Sequence, residues 1–292
     1  MQDVKELNLL VLERISAYLN QSARFITAQD VREIMACGVG EEAAVCLLLC
    51  AACGLDETAG EPDRTLVRRY IRESVRLLDA DAYCRNPYMQ TIRFPQRKLG
   101  RWEMKRLEYA PYELFVRDDL HCPGDGREIP QIGCFREAFS YPAVLQDGRE
   151  WMTVTPVEIN TIAPVIEAAF GHVAAMGLGL GYFAFMVSEK PDVSAVTIIE
   201  RDEDVIALFK QHILPQFPHG EKMRIVQADA FEYARKQLAE DGADFVFVDL
   251  WHDVSDGAPM YVRMKALEAC APRARFAYWI ETSIRAFLRS IA

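Results

Sequence analysis

The period of the hydrophobic positions changes twice along this chain, and each change predicts a different kind of element. Over residues 1–84 it is helical. In VKELNLLVLERISAYL, Leu7, Leu10, Val11, Ile15 and Leu19 recur at three- and four-residue intervals, which is one stripe of an α-helix. Thr27 is placed to cap a second helix beginning near Gln29 and ending by Gly38. Residues 41–53 form an apolar stretch closed by Gly54, and DRTLVRRYIRESVRLLDADAY predicts a fourth, amphipathic helix with Leu66, Tyr70, Val75 and Leu78 inside. Over residues 85–157 the period falls to two. TIRF, RWEMKRLEY, YELFVRD and REWMTVT alternate, and turns such as CPGDG and QDGRE separate them, which predicts a β-rich connector or small sheet. From 158 onward short apolar runs alternate with helical patterns. HVAAMG, VTIIE, RIVQAD, DFVFVDL and ARFAYWIE read as five strands with helices between them. Such alternation predicts a doubly wound, Rossmann-like parallel sheet covered on both faces. Ligands of such sheets sit beyond the carboxyl ends of the strands. The expected organisation is a helical domain at 1–84, a β-rich segment at 85–157 and a Rossmann-like domain at 158–292.

Charge narrows the classes of partner. The chain has 292 residues, 33 basic and 43 acidic, for a net charge of −10. That balance argues against a nucleic-acid partner, which needs a basic surface, and suits an enzyme acting on a small molecule. The one basic run, Arg68, Arg69, Arg72 and Arg76, is interleaved with acids and reads as a solvated face. The N-terminal stretch lacks the pattern of a secretory signal, so the eight cysteines are expected as free thiols in a reducing cytoplasm. Cys50-Ala-Ala-Cys53 lies in an apolar run with no histidine nearby and reads as core rather than as a redox or metal motif. Residues 168–188 carry no formal charge and have the length of a membrane span. They also divide into strand, glycine turn and helix start, so no membrane partner is expected.

The chemistry is concentrated at the predicted strand ends. Met176-Gly177-Leu178-Gly179-Leu180-Gly181-Tyr182 joins the first strand to a helix whose N-terminus offers free N–H groups. Gly179-Leu-Gly181-Tyr-Phe-Ala184 fits the dinucleotide form GxGxxA, with Glu200 placed to bind a ribose, which is an NAD reading. S-adenosylmethionine presents the same ribose diol to the same acid, in the run Glu200-Arg201-Asp202. At the end of strand three, Asp229 can accept from an adenine amino group while the Ala230 N–H donates to the ring. Strand four ends in Asp249-Leu250-Trp251-His252-Asp253, acids and an aromatic beside the expected transfer point.

Taken together, the series over about residues 150–281 resembles the class I S-adenosylmethionine-dependent methyltransferase superfamily, and within it the spermidine-synthase-like branch. Ala175 stands where many methyltransferases carry an acid, as it does in that branch. The resemblance implies S-adenosyl-L-methionine as cofactor, held by Gly177, Leu178, Gly179, Gly181, Glu200, Arg201, Asp229 and Ala230. It puts Asp249 where aminopropyltransferases hold the acid that helps deprotonate the attacking amine. His252 and Asp253 are the other catalytic candidates, although Asp253 and Asp256 also suit a helix cap. Glu158, in the first turn of a helix aimed at the cofactor mouth, and Trp251 are candidates for the acceptor side. The function expected is methyl transfer to a small molecule. Aminopropyl transfer to a polyamine, with Asp249, Asp253 and Asp256 holding the cation, is the alternative; a non-catalytic nucleotide-binding sensor or scaffold is the third.

The sequence departs from that family in two ways. The usual fold adds two strands in a final antiparallel hairpin, for which there is no room after Glu281. The sheet edge so exposed is expected to be covered by strands from 85–157 or by a second copy of the chain in a homodimer. Bulky Trp251 replaces the small residues usual after strand four and implies a different acceptor pocket.

Overall fold

The computed structural model describes residues 3–291, which fall into two compact units. One comprises residues 1–82 and 108–140, the other 83–107 and 141–292. The β-rich segment expected at 85–157 is therefore divided between the two units.

In the first unit, helices Val4–Ser22, Ala28–Met35 and Glu41–Ala52 bury one apolar core with Val11, Ile15, Val31, Val45 and Leu49 inside. Thr27 caps the second helix in a reciprocal box with Asp30. The fourth expected helix is cut short. Helical turns run from Asp63 to Ser74, and the chain then extends as strand β1 (Val75–Leu77). β1 pairs in parallel with β5 (Ile129–Cys134), which is antiparallel to β4 (Phe115–His121). Val75 is buried as expected, but by a sheet rather than a helix face. The pairing overrides the local helical pattern, because the partner strand lies far away in sequence. Arg68 and Arg72 pair with Glu57, Arg69 with Asp125 and Arg76 with Glu42, all near the surface. Cys50 and Cys53 are buried free thiols in the core, and burial pushes them up to about 12 and about 11.

The second unit carries the predicted parallel sheet. Its five strands are β8 (Gly171–Met176), β9 (Val193–Glu200), β10 (Met223–Gln227), β11 (Phe245–Val248) and β12 (Arg275–Tyr278). They lie in the order β10-β9-β8-β11-β12, every pair parallel. Alternate side chains enter opposite layers. Val173, Ala175, Phe245 and Phe247 face the core under helices 156–168, 182–188 and 203–212. Ala174, Met176, Val246 and Val248 face the core under helices 230–236, 254–267 and 281–290. This two-sided burial is why the strands read as continuous apolar runs. The uncharged stretch 168–188 becomes the end of a helix, β8, the glycine turn and helix Tyr182–Ser188. No helix among the described residues is long and apolar enough to cross a membrane.

A second sheet takes the order β2 (Arg97–Leu99), β3 (Trp102–Tyr109), β6 (Phe139–Gln146), β7 (Arg149–Thr153). These strands pair among themselves and none extends the parallel sheet, so the expectation that they cover its β12 edge is corrected. β12 is only four residues long and begins with exposed Arg275, two features that blunt an unpaired edge.

Phe245 is fully buried at the start of β11, one strand in from the sheet edge. Phe245→Ala should lower the unfolding free energy by about 3–5 kcal/mol, read as a lower denaturant midpoint at unchanged slope.

Candidate active site

Parallel register brings the chemistry-bearing residues to one edge. Met176 lies opposite Ile199 on one side and Val248 on the other, so Gly177, Glu200 and Asp249 follow at neighbouring strand ends. The ladder continues one bond further on each side. The Gly177 N–H donates to the Ile199 carbonyl (2.9 Å), and the Asp249 N–H to the Met176 carbonyl (3.0 Å). Beyond these ends opens a cavity of about 370 Å³.

The glycine turn forms its floor. Gly177 has φ +102°, and a Cβ there would run into the Asp249 carbonyl oxygen. Gly181 has φ +76° and caps helix Tyr182–Ser188 with its own backbone; a Cβ there would strike the Phe209 ring. Both positions thus require glycine for reasons of packing as well as dihedral angle.

Glu200 is aimed at this turn. Its Oε1 accepts from the N–H groups of Arg201 (2.8 Å) and Asp202 (2.9 Å), and Oε2 accepts a long bond from the Leu178 N–H (3.3 Å). A carboxylate has about four acceptor positions, so Oε2 retains one for a ligand hydroxyl. Arg201 is exposed at the cavity wall. Asp229 uses Oδ1 to cap helix Ala230–Lys236 through the Phe231 and Glu232 N–H groups, both at 3.0 Å. Its second oxygen is left for a ligand, and the Ala230 N–H is one of the orphan donors of the first turn.

Asp249, at the end of β11, lines the cavity. No donor among the described residues reaches its carboxyl group, and burial together with the neighbouring charge of Glu158 pushes it up to about 7. Glu158 is itself pushed up by burial, against hydrogen bonds that favour its charged form. The Thr153 hydroxyl (3.0 Å) and the Thr155 N–H (2.9 Å) donate to it, as does the Thr155 hydroxyl. The sequence TVTPVE supports this locally. Thr155 caps the helix, Pro156 takes its first position, and Glu158 closes the capping box.

Of the loop after β11, Trp251 lines the cavity and is buried against Gly257. His252 also lines it, with its ring edge-on to Trp151 (centroids 3.9 Å apart) and Nδ1 3.7 Å from Asp256. Asp253 does not line the cavity. Its carboxylate caps helix Val254–Leu267, accepting from the Ser255 N–H and hydroxyl, the capping role that its position also suits. Asp256, its partner in the capping box, does reach the cavity.

Sequence reasoning missed Glu150, Trp151 and Met152 on β7, and Trp279 after β12. The Trp279 indole donates to the Thr161 hydroxyl (3.0 Å), and the next residue, Ile280, takes a left-handed conformation (φ +45°) that turns the chain into the last helix. The available signal was an aromatic near the end of the predicted strand ARFAYWIE. β7 offered none, because its contact with the cavity is decided by the second sheet. Six carboxyl groups (Glu150, Glu158, Glu200, Asp229, Asp249 and Asp256) line the cavity against the single guanidinium of Arg201.

No protein-family model matches this chain, and no curated protein sequence does. Among solved structures, it is similar to a probable spermidine synthase from Corynebacterium glutamicum ATCC 13032. The identity is 17%, over 38% of this chain and 44% of that one, with a TM-score of 0.30. It is also similar to the spermidine synthase from Thermotoga maritima, at 19% identity over 53% of this chain and 59% of that one, with a TM-score of 0.35. The chain thus spans about half the length of the structures it matches. The structures found are spermidine synthases, and the expectation of S-adenosyl-L-methionine as cofactor is corrected.

Two outcomes follow for the site. Gly177→Ala should cost at least about 1–3 kcal/mol through its backbone conformation alone, seen in the urea midpoint. Asp249 is raised from its ordinary 3.8, so as pH climbs from about 4 the unfolded chain loses this proton first. The stability it contributes is complete below about pH 4 and is lost by about pH 7. Asp249→Asn should therefore melt close to the unmodified protein at pH 4 and distinctly higher at pH 8. Calorimetric melting temperatures that differ equally at both pH values would contradict this.

Proposed function

We propose that the chain catalyses group transfer from an adenosyl sulfonium substrate to a cationic amine, and specifically aminopropyl transfer from decarboxylated S-adenosylmethionine. The observation that carries this reading is the lining of the cavity, six carboxyl groups facing one guanidinium. A donor with a sulfonium and an ammonium, and an acceptor amine, are attracted by that lining. A dinucleotide brings two phosphates that the same lining repels, which argues against the NAD reading. A donor that keeps its α-carboxylate would find only Arg201 to pair with, which argues against methyl transfer from the intact sulfonium amino acid.

In this reading, Glu200 Oε2 takes a ribose hydroxyl, the free oxygen of Asp229 takes the adenine amino group, and the Ala230 N–H donates to the ring. The acceptor amine stands against Asp249. The attacking nitrogen first gives its ammonium proton to Asp249, and its freed lone pair attacks the propyl carbon next to sulfur. The new N–C bond forms as the C–S bond breaks, and the bonding pair leaves on sulfur as the neutral thioether 5′-methylthioadenosine. The ammonium proton is the one that Asp249 takes, and its affinity near 7 suits a base working at neutral pH. Alignment of nucleophile and carbon within the cavity supplies the rest of the rate.

Incubation with decarboxylated S-adenosylmethionine and a panel of diamines should release 5′-methylthioadenosine, followed by chromatography. Asp249→Asn should lower kcat/KM by about 10²–10⁴-fold while the protein stays folded. No release with any amine, and a preference for S-adenosylmethionine in a binding competition, would overturn the reading.

A further inference from the structure

We propose that Glu158 and Asp249 form a proton-sharing pair, in which Glu158 is a positioning residue that keeps Asp249 protonated until a cation enters the cavity. The geometry assigns the roles. Glu158 accepts three hydrogen bonds from Thr153 and Thr155, so it is the member built to hold a negative charge. Asp249 has no donor among the described residues, so it is the member that takes the proton. Both face one cavity, and two like charges confined there cannot both ionise cheaply.

The surroundings reinforce the arrangement. The other titratable groups facing the cavity are Glu150, Glu200, Arg201, Asp229, His252 and Asp256, together with the Tyr182 hydroxyl, which is raised by burial and held by the Asn86 amide (3.0 Å). Among the described residues that line the cavity, only Arg201 is a fixed cation, and it is exposed at the wall. Nothing inside the cavity therefore neutralises the pair in the unliganded protein. A cationic ligand would do so, and the proton of Asp249 would then pass to solvent. The free carboxylate is the form required of a base. The entry of substrate would thus create the base, which protects the empty protein from holding two buried negative charges.

The inference rests on the proposed function for the identity of the ligand but not for the pair itself, and the two can be tested apart. Carboxyl-carbon NMR of the unliganded protein, labelled at aspartate, should show Asp249 titrating near neutrality. In Glu158→Gln, which keeps an oxygen for the Thr155 N–H and removes the charge, the midpoint should fall by a unit or more. Glu158→Asp, which retains the charge, should restore part of the elevation. Calorimetry with decarboxylated S-adenosylmethionine at pH 6.5, in buffers of different ionisation enthalpy, should show release of up to one proton. It should also show affinity rising up to about tenfold per pH unit below the midpoint. Both effects should shrink in Glu158→Gln, with the pH dependence moving to lower pH, while affinity for uncharged 5′-methylthioadenosine stays within about twofold at every pH. A midpoint for Asp249 that Glu158→Gln leaves unmoved would overturn the pairing, as would an Asp249 ionised throughout the range. Failure of both adenosyl ligands to bind would instead remove the proposed function, with the NMR titration still deciding the pair.

Discussion

The parallel pairing of β8 with β9 on one side and β11 on the other is the constraint on which the site depends. Because Met176, Ile199 and Val248 share a register, the three residues after them emerge at one edge with no freedom to slip. A shift of one residue would turn every side chain of a strand to the opposite layer, exchanging Phe247 for Val248 between two cores that differ in shape. The cost of that exchange is what fixes Glu200 and Asp249 in place. The glycine turn is locked by the same register, since Gly177 packs directly on the Asp249 carbonyl.

Once the register is set, electrostatics decides what the edge can do. Four of the six acids around the cavity solve a local backbone problem as well. Asp229 and Asp256 take part in capping helices, Glu158 closes a capping box, and Glu200 ties the end of β9 to the turn. Asp249 has no such duty, and no donor among the described residues reaches its carboxyl group. A buried carboxyl group without a partner destabilises the fold once ionised, so its place is explained by a ligand better than by stability. Strained Ile280 costs backbone energy directly after Trp279, which lines the cavity.

Much of this was legible in the chain. The five parallel strands followed from short apolar runs alternating with helical patterns, and each run ended within three residues of its strand. The strand-end acids followed from their position after those runs. The β-rich middle was legible only as strands, because alternation gives the faces of a strand but not its neighbours. β4 and β5 joined the first unit, while β2, β3, β6 and β7 formed the second sheet. Val75 was read as helical because Val75–Leu77 follows a helical stripe without a break, and its partner strand lies more than fifty residues away.

The sequence by itself determined the order of elements in the second unit, the glycine turn and the candidate acids, because periodicity, capping residues and strand-end placement are local properties. Only the tertiary structure decided which acids face the cavity. Asp253 and Asp256 stand three residues apart in one capping box, yet only Asp256 reaches the cavity. Glu158 and Asp249 lie some ninety residues apart and interact through their buried charges. The reason is physical: a carboxyl group's role depends on its donors, its burial and the charges beside it, and those are set by contacts between elements distant along the chain.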